Sequence, residues 1–202
     1  MRLFIFARHA ESAANTAQLL NSDPAHRVGL TRHGQQQARL LGEQLAHLQL
    51  NAAVCSRFLR TRQTIELALA NRRIPLRVDA DLDEVDAGAF EGAPITAYWA
   101  WTEQHRPGDR FPGGESLDGA SQRYTAAVRR LLGRREQATL IVCHELALRS
   151  ILAAAGTTPR RHGQAEVANA IPYLIDEQAL RRALDRLQTS RPYQDRHEDA
   201  AA

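Results

Sequence analysis

The chain has 202 residues, a formal net charge of +3 and 44% apolar residues, the proportions of one globular domain long enough to bury a full core. Gly and Pro number only 12 and 8, too few for a fibrous or low-complexity chain, and no apolar run nears the ~20 residues of a membrane span. The low net charge argues against nucleic-acid binding through bulk charge, and with every basic residue an Arg there is no Lys for Schiff-base chemistry or a Walker phosphate loop.

Taken in chain order, Leu3–Ala7 is a short apolar run closed by Arg8-His9 and reads as a buried strand. The same stretch is too short for a signal peptide and is broken by Arg8, so a cytoplasmic protein is expected. Thr31 is placed to cap a helix in which Ala38, Leu41, Leu45 and Leu48 recur at helical spacing. Ala52–Cys55 is a second strand, and a helix is expected from Leu59 to about Asn71. Leu76–Val78 is a third strand. Residues 79–116 are rich in Gly and Pro, hold Trp99 and Trp101, and read as a turn-rich excursion carrying function. Ser116 caps a helix with Leu117, Tyr124, Val128 and Leu131 inward, and Ala138–Cys143 is the clearest buried strand. Glu145–Ala155 follows as a helix. Val167–Ile175 is expected as an edge strand because Pro172 lacks a donor. Ala179 to Leu187 make a last amphipathic helix, and the polar residues 190–202 read as a disordered tail. Cys55 and Cys143 each close an apolar run and are expected as buried thiols.

Strands alternating with helices argue an α/β fold with a mostly parallel sheet, where ligands bind beyond the carboxyl ends of the strands. The reactive residues fall at those ends: Arg8 and His9, then Ser56, Arg57 and Arg60, then Glu84, then His144. Two His and several Arg suit a phosphoryl group. Guanidinium groups pair with phosphate oxygens, a neutral imidazole attacks phosphorus, a protonated His stabilises the equatorial oxygens, and a carboxylic acid protonates the leaving oxygen. That chemistry requires no metal, and the His residues lack the spacing of a metal site.

Six motifs in order then resemble those of the histidine phosphatase superfamily, the phosphoglycerate-mutase-like proteins. They are Arg8-His9-Ala10-Glu11-Ser12 with Asn15; Leu30-Thr31-x-x-Gly34-x-x-Gln37-Ala38; and Ser56-x-Phe58-x-Arg60-x-x-Gln63-Thr64. Leu82-x-Glu84-x-x-x-Gly88-x-x-Glu91-Gly92, Pro112-Gly113-Gly114-Glu115-Ser116 with Arg123, and Val142-x-His144 with Arg149 complete the set. The resemblance covers about residues 2–175. It implies a three-layer α/β/α sandwich over residues 1–189, with 93–115 an excursion on the substrate side. By the same resemblance His9 is the nucleophile that becomes phosphohistidine. Arg8, Arg60 and His144 form the phosphate pocket, Asn15 adds a donor, and Glu84 is the general acid and then the base for water. Glu115 and Ser116 lie at the rim, and Arg57 is open between pocket and surface.

Two residues depart from the family pattern, which has Gly after each catalytic His. Ala10 strains the loop if that position needs a positive φ. Glu145 sits where a helix dipole favours a carboxylate and is expected to raise the pKa of His144 and keep it charged. Rival phosphatase chemistries would use Cys143 as a thiolate, with Arg149-Ser150 after it, or Asp81 and Asp83 as an aspartate loop.

The form of the Pro112–Ser116 segment, and the short stretch between Gly92 and Pro112, resemble the phosphatases of the family rather than its mutases. The expected function is therefore hydrolysis of a small phosphorylated metabolite without a cofactor. A cofactor-dependent phosphoglycerate mutase and a non-catalytic phospholigand-binding protein are the alternatives. Residues 93–111 are expected to line the leaving-group side with aromatic surface, His105, Arg106 and Arg110, the two Trp being read first as lid packing. Sugar phosphates, α-ribazole phosphate, phosphoserine and phosphopeptides all stay open as substrates. The oligomeric state is not legible.

Overall fold

The computed structural model describes residues 2–70, 72–157, 160–161, 164–165 and 167–189. In chain order its elements are β1 (Leu3–Arg8), α1 (Ala13–Ala17), α2 (Arg32–Gln44), β2 (Ala52–Cys55), α3 (Leu59–Ala68) and β3 (Leu76–Val78). There follow α4 (Ile95–Gln104), α5 (Leu117–Leu132), β4 (Ala138–Cys143) and α6 (Glu145–Ala155). The short ribbon β5 (Arg160–Arg161) and β6 (Gln164–Ala165), then β7 (Tyr173–Asp176) and α7 (Glu177–Thr189), complete the chain.

The central sheet runs in the order β3-β2-β4-β1-β7. Its first four strands are parallel, and β7 is antiparallel at the edge. Side chains alternate across it, as a pleated strand requires. Phe4 and Phe6 point into a core with α5, α6 and α7. Ile5 and Ala7 point the other way, among residues of α2 and α3. Because both faces are covered, β1 and β4 read as unbroken apolar runs rather than alternating ones.

Short polar side chains fix the helix starts. Thr31 Oγ1 accepts from the Gly34 amide at 2.9 Å, and Ser116 Oγ accepts from the Gly119 amide at 3.0 Å. Gly34 has a further reason to be Gly: a Cβ there would lie 2.0 Å from the Glu11 carbonyl oxygen. The start of α2 is thus pressed against the loop that follows His9. Gly88 has φ +52, and a Cβ would meet the Pro112 carbonyl oxygen at 2.2 Å. It seats the acid loop against the Pro112–Gly114 turn.

Some boundaries differ from the sequence reading. α3 stops at Ala68 with Leu69 as its cap, and the Asn71 end expected for it lies outside the described residues. α2 stops at Gln44. The last strand begins only at Tyr173, since Pro172 has no N–H for the ladder, and Val167 lies before it. The expected tail over 190–202 lies outside the described residues. The excursion 79–116 contains a ten-residue helix, α4, that the sequence reading did not see. It starts from Pro94 without a side-chain cap and buries no residue fully. Its apolar residues instead pack at the edge of the α5–α7 core, half-buried, with Tyr98 and Trp101 on buried Phe111 at 5.3 and 4.1 Å between ring centroids.

Candidate active site

The sheet register builds the site. β1 and β4 are neighbours, with Arg8 opposite Cys143. The residue after each strand is a histidine, and the His9 amide donates to the Cys143 carbonyl at 2.9 Å. The two imidazoles therefore meet edge to face, 5.3 Å apart. Arg60 comes in from the first turn of α3 and lies between them. Its Nε donates to His9 Nε2 at 3.0 Å and its Nη2 to His144 Nδ1 at 3.0 Å.

Because a guanidinium only donates, both contacted ring nitrogens carry lone pairs. Each ring's other nitrogen is then the N–H. His9 Nδ1 donates to the Ala10 carbonyl at 2.8 Å, and His144 Nε2 donates to Ser56 Oγ at 2.8 Å. The tautomers follow from this network rather than from visible hydrogens. His9 is thereby held with its Nε2 lone pair turned inward.

The electrostatics match. Burial, then Arg60 and Arg8, push His9 well below the ordinary histidine range. Burial, then Arg60 and His9, do the same to His144. The expectation that Glu145 keeps His144 charged is thus corrected: His144 is 0% exposed and neutral. Glu145 instead pairs with Arg8 at 2.9 Å and with Arg149 at 3.3 Å. Burial lowers Arg60 to about 10, which still leaves it a cation at neutral pH. Glu84 Oε2 lies 3.9 Å from His144 Nδ1. Burial, partly offset by Arg60, raises its carboxyl, and the Glu145 charge adds to the rise.

A cavity of about 340 Å³ opens over these groups. Arg8, His9, Asn15, Arg60 and Glu84 line it, with Tyr98 and Trp99 on the α4 side and Glu145 and Arg149 on the α6 side. Arg8 Nη1 donates to the Val167 carbonyl at 3.1 Å, while its buried Nε has no partner among the described residues. Asn15 uses its side-chain oxygen in the α1 capping box with Ser12, which leaves Nδ2 as its donor toward a ligand.

Four of the predicted residues do not line the cavity: His144, fully buried beside Arg60, and Arg57, Glu115 and Ser116. Arg57 turns to Asp83, its amide and Nε meeting that carboxylate at 2.8 and 2.6 Å. Glu115 pairs with Arg123, whose guanidinium donates to the carbonyls of Asp81, Asp83 and Glu84 at 3.3 to 3.4 Å. Ser116 caps α5. Arg57, Glu115 and Arg123 thus hold the backbone that carries Glu84. His105 stacks on Trp101, and Arg110 bonds the Gly114 carbonyl; neither these two nor Arg106 lines the cavity.

The sequence reading missed Asn21, Glu91 and Asn169 as parts of the site. Asn21 accepts from Arg60 Nη1 at 2.5 Å with Oδ1 and from Nη2 at 3.0 Å with its backbone oxygen. Glu91 holds Asn21 in turn, accepting from Asn21 Nδ2 at 3.0 Å and from the Asp23 amide at 3.0 Å. Asn169 Nδ2 donates to the His9 carbonyl at 2.6 Å. Glu91 belongs to the Leu82–Gly92 motif, but nothing in the sequence marks Asn21 or Asn169. Ala10 does not strain its loop, since the described non-glycine residues with positive φ are Gln18 and Ala170.

The rival nucleophiles are placed unfavourably. Cys143 is 0% exposed, and burial raises its thiol to about 12, so it is protonated at neutral pH. Asp81 is paired with Arg130 and Asp83 with Arg57.

Comparison with known proteins agrees with this fold. The Klebsiella pneumoniae protein named "Probable phosphoglycerate mutase GpmB" is 31% identical over 152 residues, 70% of this chain and 68% of that protein. Among solved structures, Bacillus stearothermophilus YhfR superposes with a TM-score of 0.73 at 26% identity, covering 87% of this chain and 91% of that one. The α-ribazole phosphatase from Shigella flexneri superposes with a TM-score of 0.67 at 28% identity, covering 75% of this chain and 78% of that one. The sequence profile of the histidine phosphatase superfamily, branch 1, matches residues 4–189. With that match, its fold and its paired histidines, the chain belongs to the histidine phosphatase superfamily.

Proposed function

We propose that the chain is a phosphomonoester hydrolase that works through a phosphohistidine at His9. The observation that carries the reading is the state of His9: neutral, its Nδ1–H bound to the Ala10 carbonyl, its Nε2 lone pair turned toward Arg60 in a cavity that Arg8 and Glu84 also line. A phosphoryl group takes donors from Arg8, Arg60 and Asn15. His9 Nε2 attacks phosphorus in line, the P–O ester bond breaks, and Glu84 gives its proton to the leaving oxygen. The Glu84 carboxylate then takes a proton from water, and the water oxygen attacks phosphorus. The P–N bond breaks, freeing inorganic phosphate and His9. Arg60 donates to the equatorial oxygens, and His144 joins it once Arg60 has turned from its Nδ1 to the phosphoryl group and that nitrogen has taken a proton. Removing one such donor typically costs ~10²–10³ in rate.

His144 is neutral before the substrate binds. The phosphoryl dianion supplies the negative charge that favours its protonation, so the dianion and a proton enter the site together. A small metabolite is the expected substrate, given a cavity of about 340 Å³.

A mutase reading has one observation in its favour, the name carried by the Klebsiella relative. Against it stands the short stretch between Gly92 and Pro112.

The test is phosphate release from p-nitrophenyl phosphate in EDTA by wild type, His9→Ala and Cys143→Ser. The proposal expects turnover that survives in Cys143→Ser and falls by at least ~10³ in His9→Ala. Activity lost in Cys143→Ser and kept in His9→Ala would overturn it. Rapid conversion of 3-phosphoglycerate to 2-phosphoglycerate with 2,3-bisphosphoglycerate present would establish the mutase instead.

A further inference from the structure

Glu145 is an unexpected group in a cavity for a dianion. Its carboxylate lies 2.9 Å from Arg8 Nη1 and 3.3 Å from Arg149 Nη1, and all three side chains line the cavity beside His9. Arg149 is one turn further along α6, so the carboxylate bridges the two guanidinium groups, Oε2 on Arg8 and Oε1 on Arg149, and a rotation about the Glu145 side chain frees Arg8 while Arg149 keeps its partner. At 39% exposure Glu145 has room to turn. It also begins α6, where the helix dipole favours its negative charge. On Arg8 it competes with phosphate oxygens for the same donor.

We propose that Glu145 is a built-in competitor for the phosphate site: it bridges Arg8 and Arg149 in the free enzyme, lets go of Arg8 and stays on Arg149 when a phosphoryl group arrives, and returns to Arg8 as inorganic phosphate leaves. This rests on the reading that Arg8 and His9 bind the phosphoryl group. Glu145 acts through Arg8 and touches no reacting atom. Its effect is on anion affinity, weakening substrate and product together so that product does not accumulate on the enzyme. Arg149 is the resting place that makes the exchange possible.

The test is calorimetric titration with inorganic phosphate, paired with steady-state hydrolysis of p-nitrophenyl phosphate. In Glu145→Gln the phosphate Kd falls about tenfold and KM falls with it, because a neutral amide cannot compete for the guanidinium. A residue that only supports α6 would lower thermal stability and leave phosphate binding the same or weaker. Arg149→Gln weakens phosphate about threefold in the otherwise native chain, and this effect vanishes in the Glu145→Gln background. Unchanged or weaker phosphate binding in Glu145→Gln overturns the proposal, as does an equal Arg149→Gln effect in both backgrounds. If wild type hydrolyses the ester and binds phosphate but Glu145→Gln changes neither, only this inference fails. If wild type does neither, the catalytic reading fails with it.

Discussion

At His9 burial and two guanidinium groups act in one direction, and at Glu84 burial acts in the other. Burial disfavours a charge of either sign, so it favours the neutral imidazole and shifts the carboxyl toward its protonated form. Those are the two forms the first step needs. The pH profile of kcat/KM follows from the signs. Its acid limb, set by protonation of His9, lies well below pH 6.5. Its alkaline limb comes as Glu84 loses its proton, above the ordinary carboxyl value of 4.5. Glu84→Gln removes the alkaline limb and lowers kcat/KM by ~10²–10⁴ for alkyl phosphates, less for p-nitrophenyl phosphate, whose leaving group needs no proton. A Glu84→Gln profile that keeps its alkaline limb would assign the acid elsewhere. Arg8, His9, Arg60, Glu84 and His144 were legible as candidates because each follows a strand end or opens the next helix. Arg57 was not resolved from sequence, since whether it faces the cavity depends on Asp83, a side chain reached only through the fold.

Two elements shape the cavity without holding the nucleophile. The loop that carries Asn21 fixes Arg60, and Glu91 fixes that loop. Glu91→Ala is expected to lower kcat about tenfold with little change in KM for a small ester, because Arg60 loses its orientation against both imidazoles. A purely structural loss would change thermal stability and leave the kcat of the folded fraction intact, so the two are compared on the same preparation. On the other wall, α4 turns Ile95, Tyr98, Trp99 and Thr102 to the cavity, at helical spacing. Trp101 packs on Phe111, but Trp99 is 52% exposed. Trp99→Ala should raise KM severalfold for phosphate esters of flat aromatic alcohols and leave KM for glycerol phosphate unchanged; equal effects on both would remove Trp99 from the leaving-group wall. The helix escaped sequence reading because ITAYWAW is apolar on every side, lacks a cap residue, and lies between Gly and Pro turns. Periodicity finds a helix that has a polar face.

Across the whole molecule, the fold was legible wherever a segment is buried on both faces. The apolar runs of β1 and β4 and the stripes of α2, α5 and α7 each have one packing solution against a parallel sheet. What the sequence left open are contacts between distant segments, such as Asn169 on the His9 carbonyl. Burial of the site also sets the stability of the chain. His9 and His144 titrate lower in the folded chain than at 6.5, so the unfolded chain binds more protons between their lowered values and 6.5. Stability is therefore lost as pH falls through that window, by up to about 1.4 kcal/mol per pH unit for each histidine. Glu84, whose carboxyl is raised, opposes this in part, since its contribution grows as pH falls through its folded value. The expected result is a melting temperature that drops below pH 6.5, and drops less in His144→Asn. A wild-type melting temperature that rises on acidification from pH 6.5 would contradict the neutral, buried pair.

The central claim is a covalent phosphoryl group on His9 Nε2, and the most direct measurement traps it. Glu84→Gln is mixed with p-nitrophenyl phosphate, whose good leaving group permits the first step while loss of the base slows the second. The protein is quenched at alkaline pH, where a phosphohistidine survives, and its peptides are mapped by mass spectrometry. The account predicts one phosphoryl group per chain, on the peptide holding His9, and none in the Glu84→Gln, His9→Ala double variant. A phosphoryl group on His144 or Cys143, or steady turnover with no trapped phosphoenzyme, would contradict it.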